Sequence, residues 1–162
     1  MEQVWELAHA PEQRVQLPPV NVPDLTTTTN TSGGELQGDP AAAAWAPRAH
    51  WGLGQRIPHL VRTMETRGII VTTTPFAGGG TARVDAFSTS HLPRPLVVLT
   101  PDRADDVCRH RFTAAHELGH LLLHRNTAPR DPQQEHEANL FAAELLTPAT
   151  LINAPRCDWL RN

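Results

Sequence analysis

The segment His116-Glu117-Leu118-Gly119-His120 constrains this chain more than any other, because its chemistry works only on a helix. Residues four apart lie one turn apart on the same helix face, separated by roughly 6 Å of rise. Two imidazoles so placed can converge on one ion at the Zn–N distance of about 2.0–2.1 Å. Glu117, one position on, points about 100° around the helix. It is thus expected to flank the metal rather than bind it, and to act as general base toward a water that the metal has made acidic. Phe112, Ala115, Gly119, Leu122 and Leu123 recur at helical spacing around the motif and give it one apolar face.

A catalytic zinc takes a third protein ligand and leaves its fourth position to water. His124 continues the four-residue spacing, but on a straight helix it lies about 12 Å along the axis from His116, too far to share the ion. It is expected instead near the helix C-terminus, interacting with the last carbonyls. Position 126 is Asn, so a histidine six residues beyond His120 is absent as well. The third ligand should come from a second helix, from about Pro132 to Leu146, where Ala138, Phe141, Ala142 and Leu145 form one side. Its segment Glu-His-Glu-Ala-Asn (135–139) offers two carboxylates pointing about 200° apart, the arrangement of a gluzincin. Helical phase puts Glu135 nearer the face to be buried and Glu137 toward solvent. Asn139, one turn after Glu135, is placed to orient a zinc-bound histidine from behind, and His136 is expected to face solvent. The site read from the residues is therefore one zinc per chain on His116, His120 and Glu135, with Glu117 catalytic and Asn139 in support.

Around this pair of helices the expected fold is α+β, in the order helix, small three-stranded sheet, helix, helix. LVRTMETR reads as a helix with Pro58 in its first turn, ended by Gly68. Ile69–Val71 with the following threonines, RVDAFSTS and LPRPLVVLT read as three short strands, with AGGG as a turn and the prolines holding the start of the third at an edge. Residues 1–45 are expected to form an extended or disordered lead-in, since VQLPPVNVPDLTTTTNTSGGELQGDP has few large apolar groups to bury, and residues 46–162 to form the domain.

Composition narrows the function classes. Fourteen basic and 17 acidic residues give a formal charge of −3, too near neutral to imply nucleic acid or a membrane surface as partner. The N-terminal MEQVWELAHAPEQ has no apolar core of a signal peptide, and no run is long enough to span a bilayer. Two distant cysteines, Cys108 and Cys157, suggest neither a disulfide framework nor a cysteine zinc site, so a cytoplasmic protein is expected. The chain contains no tyrosine, which leaves oxyanion stabilisation to the metal, a backbone N–H, or one of His91, His110 and Arg111.

RFTAAHELGHLLLH followed by EHEANLFAAELLTP closely resembles the ImmA/IrrE family of bacterial metallopeptidases, as does the stretch from about Ala44 through WGLGQRIPHLVRTMETRGIIV. By motif position the resemblance makes His116, His120 and Glu135 the zinc ligands and Glu117 the catalytic glutamate. It implies a narrow endopeptidase whose protein substrate is a helix-turn-helix repressor or similar regulator. Members are often fused behind a DNA-binding domain, and many continue beyond the point corresponding to Asn162. The competing reading is a non-catalytic module, with zinc structural or sensory, acting by protein contact; a retained Glu117 and the absence of cysteine near the motif favour the enzyme.

Overall fold

The computed structural model describes residues 16–25, 39–73, 86–100, 107–125 and 131–152. Helices α1 (Pro40–Ala43), α2 (Trp45–His50) and α3 (Leu60–Thr66) precede strands β1 (Ile70–Thr73), β2 (Ala86–Thr89) and β3 (Leu96–Leu99). Helices α4 (Val107–Leu123), α5 (Pro132–Leu146) and α6 (Ala149–Ile152) follow. The class is α+β. Helix α4 is central, packing on α5 on one side and on β2 and β3 on the other.

The sheet runs in the order β1-β3-β2, with β3 parallel to β1 and antiparallel to β2. The third strand is thus the middle one, not an edge. Leu96, Val97, Val98 and Leu99 are all buried, and an unbroken apolar run of this kind marks a strand covered on both faces. The proline effect is confined to the residue before it, where Pro95 still accepts from the Ile70 N–H. The turn expected at AGGG lies outside the described residues.

Helix α3 ends as its sequence dictates. Gly68 takes φ +79°, and the Gly68 and Ile69 N–H groups return to the carbonyls of Glu65 and Met64, closing a Schellman turn. The helix starts at Leu60, leaving Pro58 outside it.

Two features lie within the expected lead-in. Residues 40–50 are helical, Asp39 capping α1 by accepting from the Ala41 N–H, and Ala43 and Ala44 sit in the core beneath α5. Alanines carry too little apolar surface to show as periodicity, yet they are the residues that let helices approach closely. Residues 16–25 run extended along the domain: Asn21 N–H donates to Arg67 O, Trp51 Nε1 to Asn21 O, and Arg125 Nη2 to Pro23 O. Arg48 is nearly fully buried and donates to the carbonyls of Leu145, Gly54 and Gln55, tying α2 to the C-terminal end of α5.

The apolar face of α4 is broader than a single stripe because the helix is covered on two sides. Ala114, Ala115, Leu118, Gly119, Leu121 and Leu122 are buried, whereas Phe112 is exposed. Gly119 sets the separation from α5. A Cβ there would lie 3.1 Å from Phe141 Cδ1 and 3.3 Å from Ala138 Cα. Phe141 is fully buried. Gly119→Ala is expected to cost about 1–3 kcal/mol by overpacking, against the ~1 kcal/mol that alanine gains in helix propensity. Denaturant unfolding should show a net loss; a variant more stable than the parent would mean that Phe141 yields.

Candidate metal centre

The close approach of α4 and α5 brings three side chains to one point. His116 Nε2 and His120 Nε2 are 3.0 Å apart. Glu135 Oε2 lies 3.3 Å from His116 Nε2, and Glu135 Oε1 3.4 Å from His120 Nε2. Of the two carboxylates offered by residues 135–139, it is Glu135 that joins the histidines.

Tautomers can be assigned from the outer ring nitrogens. His116 Nδ1 is 3.0 Å from Asn139 Oδ1, an acceptor, so it carries the proton and Nε2 presents a lone pair. Asn139 is thus the acceptor against the outer nitrogen of His116. His120 Nδ1 likewise faces outward, 3.1 Å from His124 Nδ1. A proton on each outer nitrogen leaves two ring lone pairs and a carboxylate converging with no donor among them. Such a cluster is repulsive by itself and suits a cation. The spacing fits as well: a tetrahedral ion with bonds of about 2.0–2.1 Å holds its donors about 3.3–3.4 Å apart. Among the described residues, His116, His120 and Glu135 form the only group of three or more His, Cys, Asp or Glu close enough to hold a metal ion. The Glu135 side chain is about half exposed, so the point of convergence opens to solvent.

Electrostatics favour the metal-binding form of the ring. Burial first, and then the neighbouring His116, push the His120 pKa down to about 4, with Glu135 opposing and His124 adding. The ring is therefore neutral at neutral pH.

Glu117, between the two histidines in sequence, is buried, 6% exposed. Burial raises its pKa to about 7; a hydrogen bond from Ser88 on β2 lowers it and the charge of Glu135 raises it further. Ser88 was not singled out from sequence, where it is one polar residue in an alternating strand. This burial has a measurable consequence. The unfolded metal-free chain releases the Glu117 proton near pH 4.5, whereas the folded chain keeps it to about pH 7. Stability from this group is full below the lower value and is lost as pH rises through the window. Glu117→Gln should therefore stabilise the chelator-treated chain at pH 8 by on the order of 2–3 kcal/mol and have little effect below pH 4.5. Denaturant midpoints at the two pH values check this; an equal difference at both would contradict it.

His124 is placed differently from expectation. Instead of meeting the last carbonyls of α4, its ring stands between His120 and α5, with Nε2 2.9 Å from Glu137 Oε2. Glu137 is correspondingly only part-exposed, while His136 faces solvent. No sequence signal shows this pairing, since the partner lies 13 residues away on another helix. Of the residues considered for the oxyanion, Arg111 donates to Pro58 O at 3.2 Å, His91 is exposed beyond β2, and His110 is half-buried on α4. Cys108 is exposed with a free thiol, and Cys157 lies outside the described residues. No helix among the described residues is long and apolar enough to cross a membrane.

The model of a peptidase family described as the IrrE N-terminal-like domain matches residues 64–155, more than half of the chain. The match spans all four residues discussed above, His116, Glu117, His120 and Glu135. No curated protein matches the chain.

Proposed function

The chain belongs to the family of IrrE N-terminal-like peptidase domains, and from that membership and the geometry of the centre we propose that it is a zinc-dependent endopeptidase acting on a helix-turn-helix repressor or a similar cytoplasmic regulator. The observation that carries this reading is the convergence of three acceptors, His116 Nε2, His120 Nε2 and a Glu135 carboxylate, beside a buried Glu117.

His116, His120 and Glu135 are the residues that would hold the ion. Zinc, when bound there, supplies Lewis acidity that acidifies a water and polarises a carbonyl near neutral pH. Glu117, with its proton affinity raised toward neutrality by burial, is suited to take a proton from the attacking water and return it to the departing amine. Ser88 holds the Glu117 carboxyl on its β2 side. Asn139 holds the His116 ring in the tautomer that directs Nε2 to the metal. The half-exposed Glu135 leaves the fourth side open for substrate.

A purely structural zinc site is usually closed by four protein ligands, commonly with cysteine. Three donors, an open side and a buried base beside them support the enzyme over a regulatory module. The test is co-expression with helix-turn-helix repressors encoded nearby, with mass spectrometry of the products. Fragments that appear with the parent chain and vanish with Glu117→Gln support proteolysis. Loss of repressor function without any fragment, equal for parent and variant, would point to the module.

A further inference from the structure

Behind His120 runs a line of polar contacts that the proposed reaction does not use. His120 Nδ1 lies 3.1 Å from His124 Nδ1. His124 Nε2 lies 2.9 Å from Glu137 Oε2. Gln133 Nε2 donates to Glu137 Oε1 at 2.8 Å. The direction of every link follows from its far end. Glu137 takes its two contacts on separate carboxylate oxygens, Oε2 facing His124 Nε2 and Oε1 facing Gln133 Nε2, and a carboxylate can only accept. His124 Nε2 must then carry a proton. With Nε2 as its donor, the His124 ring turns its other nitrogen, Nδ1, to His120, and two ring nitrogens 3.1 Å apart need one donor and one acceptor. His120 Nδ1 is that donor. Its Nε2 is left as a lone pair directed at Glu135 and His116.

We propose that His124 and Glu137 are positioning residues for the metal centre: Glu137 on α5, acting through His124, fixes the tautomer and orientation of His120. The inference rests on the zinc reading of His116, His120 and Glu135. It gives the two metal-binding histidines unlike supports. His116 is held directly by Asn139. His120 is served by a carboxylate on α5 with a second imidazole between them, and that imidazole is buried, its side chain 7% exposed. A histidine that merely faced the solvent end of a helix would have neither the burial nor two ring nitrogens both engaged. The carboxylate–histidine support familiar behind metal ligands is here extended by one ring.

A plain interhelical staple between α4 and α5 would alter stability without touching the metal, so the test reads both. His124→Phe keeps bulk but offers no acceptor; His124→Gln can accept from His120 and donate to Glu137; Glu137→Leu removes the anchor from a part-exposed position and serves should His124→Phe fold poorly. Zinc affinity is measured by competition with a chromophoric chelator, and the d–d spectrum is recorded with cobalt(II) in place of zinc. Nitrogen-15 shifts of the imidazole rings are read in the chelator-treated chain. His124→Phe and Glu137→Leu are expected to weaken zinc by about 10–100-fold and to change the cobalt spectrum. The His120 ring should lose its fixed Nδ1–H form in both, and His124→Gln should recover most of the affinity. Unchanged zinc affinity and an unchanged His120 tautomer in Glu137→Leu would reduce the line to a staple and overturn the inference. A parent chain that binds no zinc overturns the metal reading itself, a different result from a parent that binds zinc indifferently to both residues.

Discussion

Glu117→Gln is expected to keep its zinc and lose regulator cleavage by on the order of 10²–10⁴-fold, the usual contribution of a positioned base. The substitution preserves shape and hydrogen-bonding capacity, so Ser88 keeps a partner, and the three converging donors are untouched. What disappears is a group able to take and return a proton near neutral pH. The prediction is sharp because the same variant, once stripped of metal by chelator, should be more stable than the parent above pH 7, where burying the ionised carboxylate is costly. A variant that is more stable, holds zinc and does not cleave separates chemistry from folding. One that still cleaves at the parent rate would remove Glu117 from the mechanism.

The second large effect falls on the metal. His116→Ala, His120→Ala and Glu135→Gln should each remove most of the zinc, since each deletes or neutralises one of three donors. Metal that binds only the folded chain stabilises it by about 2.7 kcal/mol at a free concentration 100 times its dissociation constant. Losing it should lower Tm by roughly 5–10 °C for a chain of this size. With zinc withheld, the gap between parent and variants should shrink sharply, because the parent then lacks the same support. Metal analysis and paired melting curves check both parts. Zinc content unchanged in all three variants would place the ion elsewhere.

What the sequence made legible was local. The four-residue spacing of His116 and His120 demands a helix, and α4 carries it. Helical phase along residues 135–146 points Glu135 toward the histidines, and Ala138, Phe141, Ala142 and Leu145 are buried as the pattern requires. Asp131 caps α5, accepting from the Gln133 N–H ahead of a proline at the first turn. Features that depend on how elements meet were hidden. That β3 lies in the middle of the sheet follows from pairing with two strands at once, although Leu96–Leu99 hint at it by lacking a polar face. Helices α1 and α2 are built mostly of alanine and proline without a clear period, and their burial depends on α5 being there to cover them. Residues 16–25 are held largely through backbone carbonyls, which every sequence possesses. The line from His120 through His124 to Glu137 required the crossing of α4 over α5, which Gly119 permits and no periodicity records. Phase alone placed Glu137 toward solvent; its partner on the neighbouring helix draws it in.

The open three-donor centre can be tested most directly by zinc K-edge X-ray absorption on the chain loaded with one equivalent of metal. The expected spectrum shows two imidazole nitrogens and oxygen donors at about 2.0–2.1 Å, from His116, His120, Glu135 and solvent. A sulfur shell at about 2.3 Å, or a third imidazole, would contradict a centre built on those residues.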